Sequence, residues 1–139
     1  MNEKSPVTKS EHLRPDVPTL DPGDSVQRAA AAMAEFDTDA MVVVSALGLH
    51  GMLTDRDILI RVVAAGLDPA TTRVRDVMSS TLVTCPADAA VEDIIADMSA
   101  RQIRRMPVVN ADGQMIGLLS VEKVAMSAVP PRPPEPAKA

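Results

Sequence analysis

The sequence contains two diverged copies of one unit, and this repetition limits the folds open to the chain more than any other feature. Matching residues recur at a spacing that grows in order from 64 to 66 residues. The matches are Pro22 and Asp24 with Pro86 and Asp88, then Val26, Ala31 and Met33 with Val91, Ala96 and Met98, and finally Val42, Val43, Gly51 and Leu53 with Val108, Val109, Gly117 and Leu119. Single-residue insertions in loops produce such an ordered drift, whereas chance matches would scatter.

A helix near the start of each copy is predicted by apolar residues at i, i+3, i+4 and i+7. These residues are Val26, Ala29, Ala30 and Met33 in the first copy and Val91, Ile94, Ile95 and Met98 in the second. Asp24 and Asp88 precede the two helices, and we expect them to act as N-caps or first-turn acids, because a carboxylate there meets unpaired N–H groups.

Two short apolar runs after each helix predict a β-hairpin, and a second helix then closes each copy. The runs are Met41 to Val44 with Gly51 to Leu53, and Met106 to Val109 with Met115 to Leu119 around the turn Asn110-Ala111-Asp112-Gly113. The inner faces predicted for the closing helices are Ile58, Leu59, Val62 and Val63, and Val121, Val124, Ala125 and Ala128. A short strand is also predicted ahead of each copy, at Val17 to Leu20 and at Leu82 to Thr84.

One unit of about 45 residues is too small to bury its own apolar faces, so the two copies are expected to pack together. The predicted fold class is α+β, with two β-α-β-β-α repeats packed sheet to sheet around a pseudo-two-fold axis and a ligand cleft between them. We expect an N-terminal extension, partly disordered, at residues 1–16, the first repeat and a linker at 17–78, the second repeat at 79–128 and a Pro-rich disordered tail at 129–139. That tail is alternatively a PxxP ligand for a partner domain.

Composition and charge exclude several function classes. The net charge is −5 and the chain has one Phe, no Tyr and no Trp, so the basic face and aromatic platforms of nucleic-acid binders are missing. A single cysteine, Cys85, and the lack of a signal-peptide core or membrane-length apolar run predict a cytoplasmic protein with no membrane association. No nucleophile with an adjacent base stands out, so we expect no enzyme activity.

Two segments resemble the signatures of the tandem CBS domain, or Bateman module. They are Leu49-His50-Gly51-Met52-Leu53-Thr54-Asp55-Arg56-Asp57 and Arg104-Arg105-Met106-Pro107-Val108-Val109. The linker Leu67-Asp68-Pro69 and the run Val74-Arg75-Asp76-Val77-Met78 are also common in that family. The resemblance covers about residues 17–128 and is strongest to short stand-alone actinobacterial members. It implies a regulatory module that senses energy or stress state and a homodimer paired through its helices into a flat disc.

The resemblance also implies a binding site for an adenine nucleotide, AMP, ADP or ATP, with S-adenosylmethionine and NAD left open. Thr54 and Asp57 would hold the ribose, and Arg104 and Arg105 would hold phosphate. Main-chain and apolar groups of Thr81, Val83 and Thr84 would complete this cleft, which we call the Thr54 cleft. The arginine pair, with Arg101 close by, is a concentration of cations on an acidic chain.

The second copy departs from the family pattern. Ser120 supplies the hydroxyl, but Lys123 stands where the motif has Asp, and Asp39 was matched to Arg105 at a spacing of 66. We therefore expect one ordinary nucleotide site at most. The alternative function is a degenerate pair without nucleotide binding that acts as a dimeric interaction or stress protein, with an unidentified protein partner.

Simpler structural roles stay open for several of these residues. Thr54 and Asp57 fit a capping box, and the arginines fit a solvated helix C-terminus. His50 is expected in a surface turn and Cys85 in inert packing. A metal site formed from these two residues and His12 is the remaining alternative, although their spacing matches no known ligand pattern.

Overall fold

The computed structural model describes residues 5–121, and within them the two repeats have the same order of elements. A short 3₁₀ helix at Val7–Lys9 is followed by strands β1 (Leu13–Arg14) and β2 (Thr19–Leu20), helix α1 (Val26–Glu35), and the hairpin strands β3 (Ala40–Ser45) and β4 (Gly48–Thr54). Helix α2 (Asp55–Ile58) continues as a π-helical turn at Leu59–Val63, and helix α3 (Val74–Val77) leads to the second repeat. That repeat contains β5 (Cys85–Pro86), α4 (Val91–Arg101), β6 (Arg105–Val109) and β7 (Met115–Ser120).

The strands form two sheets, one for each repeat. The order is β2-β3-β4 in the first sheet and β1-β7-β6-β5 in the second. The β3–β4 and β6–β7 hairpins are antiparallel, while β2 and β5 pair in parallel with β3 and β6. The predicted α+β class and the interleaving of helices and strands in two repeats are confirmed.

Each repeat has its own hydrophobic core between its sheet and its helices. The first core contains Val26, Ala29 and Met33 of α1, which pack with Met41 and Val43 and other buried residues. The second contains Met98 of α4 with Met106, Val108 and Leu119, and Ile94 and Ile95 pack against it. The 3.6-residue periodicity therefore identified the inner faces of α1 and α4 correctly.

The chain ahead of each repeat pairs with the sheet of the other repeat. Strand β1 pairs with β7, and Ser79 exchanges two backbone hydrogen bonds of 2.9 Å with Met52 of β4. Val7 is fully buried in the second core. Residues 5–14 therefore belong to the packed structure, which the expected division into extension and repeats did not include.

Two glycines allow these exchanged segments to approach. A Cβ on Gly51 would overlap the backbone oxygen of Ser79, and one on Gly117 would lie 2.8 Å from Cδ1 of Leu13. Because Gly51 and Gly117 are 66 residues apart in matching strands, the same close approach is built into both repeats.

The register of the hairpins corrects our alignment of the copies. Val43 pairs with Gly51, and Val108 pairs with Gly117, so Val43 corresponds to Val108 rather than to Val109. Asp37 and Gln102, 65 residues apart, have φ angles of 51° and 58° after equivalent helices. The spacing is therefore 65 through the first hairpin strand, and the extra residue enters at the second hairpin turn. Asp39 consequently corresponds to Arg104.

Three local predictions are wrong. Ser25 caps α1 by accepting a 3.1 Å hydrogen bond from Arg28 N, because the Asp24 carboxylate is taken by Asp21 N at 3.0 Å. Helix α4 begins after Ala90 without a side-chain cap among the described residues, and Asp88 lies in the preceding turn. The strand expected at Leu82 to Thr84 is found at Cys85–Pro86, where β6 offers its pairing edge.

The closing helix of the first repeat also differs from its prediction. Val62 is fully buried and Ile58 packs on the core, but Leu59 and Val63 are 58% and 62% exposed. The π-helical turn adds a residue to this segment, closed by Ala64 N to Leu59 O at 2.9 Å, and so rotates Leu59 and Val63 outward. Val121 is buried, whereas Val124, Ala125, Ala128 and the Pro-rich tail at 129–139 lie outside the described residues.

Candidate functional site

Thr54 and Asp57 form a complete capping box where β4 enters α2. Asp57 N donates to Thr54 Oγ1 at 3.1 Å, and Thr54 N donates to Asp57 Oδ2 at 2.9 Å. The structural role expected for this pair is confirmed. Because a carboxylate oxygen can accept more than one hydrogen bond, the box leaves Asp57 with acceptor capacity.

Arg61 ties this cap to the chain that enters the second repeat. Its Nη1 donates to the carbonyl oxygens of Val77 at 2.8 Å and Met78 at 3.2 Å. Its Nε lies 4.0 Å from Asp57 Oδ1, one helical turn away. The cap is thus held next to the segment that continues to Thr81.

Arg104 and Arg105 both approach one carboxylate, that of Asp39. Arg105 Nη2 lies 2.7 Å from Asp39 Oδ1, and Arg104 Nη2 lies 3.8 Å from Asp39 Oδ2. The side chain of Arg105 is 19% exposed and that of Arg104 is 55% exposed. The helix-terminus interpretation fits Arg101 alone, which ends α4 and pairs with Asp97 at 3.0 Å, because Arg104 and Arg105 lie beyond the helix.

Asp39 joins these two groups of residues. Its backbone oxygen accepts from Asp55 N at 2.9 Å, next to Thr54, while its carboxylate faces the arginines of the second repeat. The equivalent bond in the second repeat runs from Val121 N to Arg104 O, also at 2.9 Å. The strand ends that carry Thr54 and Arg105 are therefore linked through Asp39.

The remaining predicted site residues lie in the extended segment ahead of β5. Thr81 and Thr84 are exposed, and Val83 is half-buried against the second core. Ser79, at the start of this segment, is hydrogen-bonded to β4 two residues before Thr54. The segment therefore starts beside the strand that leads to the cap and ends at the second repeat.

A second cleft, which we call the Ser120 cavity, has a volume of about 340 Å³. Its polar lining consists of Arg14, Asp16, Asp37, Thr38, Arg105 and Ser120, and Phe36 forms part of its apolar wall. The expectation that this cleft lacks a cation is wrong, because β1 brings Arg14 into it and Arg105 lines it as well. Extending the repeat upstream, where Arg14 matches Ser79 at a spacing of 65, would have revealed Arg14.

His50 and Cys85 have structural roles. His50 is the bulged residue of β4 rather than a turn residue, and its Nε2 lies 2.6 Å from Ser45 Oγ. Cys85 is 1% exposed, and burial raises the pKa of its thiol. Among residues 5–121, no three His, Cys, Asp or Glu side chains are grouped so that they could hold a metal ion.

Comparison with known proteins agrees with the pseudo-symmetric pair of repeats. The model of the CBS domain matches residues 10–64 and 74–128. The chain belongs to the CBS domain family. Tandem CBS domains are generally regulatory modules, and none of the helices between residues 5 and 121 is long and apolar enough to cross a membrane.

Short stand-alone CBS proteins are among the similar chains. CBS domain-containing protein YhcV of Bacillus subtilis is 37% identical over 111 residues, which are 80% of this chain and 78% of that protein. Hypoxic response protein 1 of Mycobacterium tuberculosis is 33% identical, over 73% of this chain and 71% of its own. The predicted similarity to short actinobacterial members is confirmed.

Solved CBS structures share the fold. A crystal structure of Hypoxic Response Protein I with two coordinated zinc ions has a TM-score of 0.72 at 29% identity and covers 84% of this chain and 92% of that one. A hexameric CBS-CP12 protein from bloom-forming cyanobacteria has a TM-score of 0.72 at 25% identity, over 91% of this chain and 69% of its own.

Proposed function

We propose that this CBS pair is a non-catalytic regulatory module that binds an adenine nucleotide, AMP, ADP or ATP, in the Thr54 cleft and reports energy or stress state. The observation that carries the proposal is the linkage of Thr54 and Asp57 to Arg104 and Arg105 through Asp39. A ribose-binding hydroxyl and carboxylate would then lie on the first repeat, and the phosphate-binding guanidiniums on the second.

The chemistry of the residues fits the parts of a nucleotide. Asp57 is fixed by its cap and can accept from the two ribose hydroxyls, while guanidinium groups match phosphate oxygens in pairs. Arg105 is the better of the two cations, because its 19% exposure means that less water competes for it than for Arg104. Adenine would pack on the aliphatic side of the extended segment, at Val83, between Thr81 and Thr84.

The Ser120 cavity is the competing location for a ligand. Its volume of about 340 Å³ lies near the lower end of small-molecule pockets, about 300 to 1,000 Å³. Two arginines and two aspartates line it, so its charge is balanced, and Ser120 has no partner carboxylate among the described lining residues. These features favour the Thr54 cleft for a nucleotide with ribose hydroxyls.

The alternative function, a dimeric interaction or stress protein without nucleotide, has its own supporting observation. Leu59, Ile60, Val63 and Leu67 form an exposed apolar face on and after the closing helix of the first repeat, at 58%, 49%, 62% and 46% exposure. Such a face fits a homodimer contact or an unidentified protein partner.

A thermal-shift panel separates these functions and the two clefts. With ligand at ten times Kd, a nucleotide adds about 1.4 kcal/mol to the unfolding free energy, which raises Tm by about 5 °C. We expect this rise with an adenine nucleotide and not with GTP, and we expect it to vanish in Asp57→Ala but persist in Ser120→Ala. The reverse pattern would move the site to the Ser120 cavity, and no shift with any nucleotide would favour the interaction protein.

A further inference from the structure

The Asp39 carboxylate already occupies the cations that a phosphate would use. Its Oδ1 has no solvent exposure and accepts no well-aligned hydrogen bond within the described residues, although Arg105 Nη2 is 2.7 Å away. Its Oδ2 faces Arg104 at 3.8 Å. The contact is therefore a charge pair with imperfect hydrogen-bond geometry, and the carboxylate holds the place of an anion.

We infer that Asp39 is a specificity-determining residue that competes with ligand phosphate for Arg105 and disfavours nucleotides in proportion to their phosphate charge. The inference rests on the proposed nucleotide function, and it names the residue that sets preference among AMP, ADP and ATP. Asp39 would make the monophosphate the favoured ligand relative to a cleft without this carboxylate.

Asp39 cannot move far enough to relieve the competition. Its backbone oxygen is bonded to Asp55 N at 2.9 Å, and the next residue, Ala40, is buried at the start of β3. A phosphate that takes Arg105 would therefore keep the carboxylate as a close neighbour. A like charge at such a distance disfavours a bound anion, and the penalty grows with the charge of that anion.

A role in stability alone accounts poorly for this pair. The Asp39 side chain is 42% exposed, and ion pairs with exposed partners contribute little to folding. Arg105, in contrast, is mostly shielded from solvent and lines the cleft region between the repeats. Removing the Asp39 charge should therefore alter ligand binding more than folding.

The test compares AMP and ATP binding by calorimetry in the full chain and in Asp39→Asn, which keeps the shape of the side chain. We expect ATP affinity to rise about tenfold and AMP affinity about threefold, so that the ratio of the two dissociation constants changes in favour of ATP. Asp37→Asn is the matched control, since it removes the same charge two residues away, and it should change either affinity less than about twofold. Asp39→Ser is the second variant if Asp39→Asn does not fold.

The outcomes separate this inference from the proposed function. Equal or weaker ATP binding in Asp39→Asn than in the natural chain overturns the inference and leaves nucleotide binding in place. Binding by Asp39→Asn alone supports the competition and removes nucleotide binding from the natural chain. A gain that survives in Asp39→Asn combined with Arg105→Ala overturns the role given to Arg105, and no binding by any variant overturns both proposals.

Discussion

Oδ1 of Asp39 lies 2.7 Å from Nη2 of Arg105, and this contact joins the two repeats where their hairpins begin. The residue structurally equivalent to Asp39 is Arg104, whose Nη2 is 3.8 Å from the other carboxylate oxygen. Equivalent positions of the two repeats thus carry opposite charges and face each other, where identical charges would repel. Divergence of the copies at this position both joins them and decides which anions can enter.

Loss of the cap at α2 should have a structural cost and a functional cost that can be separated. Thr54→Ala removes the acceptor of Asp57 N and should lower the unfolding free energy by about 1 kcal/mol. Urea denaturation followed by circular dichroism measures this change. Ser25→Ala is the matched control, because it removes the equivalent cap of α1. We expect a similar loss of stability with unchanged nucleotide affinity. Reduced affinity in Ser25→Ala would mean that capping, rather than ligand contact, explains the effect of Thr54→Ala.

The exchanged segments predict an unequal response of two matching glycines. Gly51→Ala meets the backbone oxygen of Ser79 and should cost about 3 kcal/mol, whereas Gly117→Ala first meets the Leu13 side chain, which can rotate, and should cost about 1 to 2 kcal/mol. Gly23→Ala, which meets only the side-chain oxygen of Asp21 at 3.1 Å, should cost less than 1 kcal/mol by the same denaturation measurement. Equal costs for all three would contradict the close strand approach.

Burial of Cys85 predicts a loss of stability at alkaline pH. Burial raises the pKa of the thiol in the folded state, so the folded chain holds this proton more tightly than the unfolded chain. The resulting stability is fully present below the unfolded pKa, about 8.5, and is lost as pH rises through the higher folded value. Denaturation at pH 7, 8.5 and 10 should show this decline, and Cys85→Ala should lack the part due to the thiol. The chain has no Tyr to titrate in the same range. Rapid reaction of the native thiol at pH 7 with a disulfide reagent would contradict this account.

The exposed face on the first closing helix predicts a homodimer. Light scattering at micromolar concentration should give twice the chain mass of 14.7 kDa, and Val63→Glu should return the protein to the mass of a single chain. Leu47→Glu serves as the control, because Leu47 is 92% exposed at the tip of the first hairpin, away from that helix, and should leave the dimer intact. A natural chain that scatters as a monomer would remove the dimer from the account.

Much of the fold could be predicted because helices and hairpins leave local periodic patterns. The apolar faces of α1 and α4 and the turn at Asn110 to Gly113, closed by a 3.0 Å hydrogen bond, depend on residues close in sequence. The exact register could not be obtained in this way, because Val42-Val43 resembles Val108-Val109 more than the true equivalent Pro107-Val108. Strand pairing alone decides that match.

Features that depend on tertiary contact were not predictable. Strand β1 has two residues and no periodicity, and its pairing with β7 is explained only by the approach at Gly117. Thr54 and Asp57 were predicted as a pair because a capping box is a local pattern, whereas Asp39 was expected only to repel phosphate. Its contact with Arg105 needs both repeats in place before it exists.

Calorimetric titration of the full chain with AMP, ADP and ATP, beside Asp57→Ala under the same conditions, tests the central proposal most directly. The account predicts one adenine nucleotide bound per chain by the natural protein, with heats at background for Asp57→Ala while that variant remains folded. Background heats for every nucleotide at millimolar concentration, or unchanged binding by Asp57→Ala, would contradict nucleotide recognition in the Thr54 cleft.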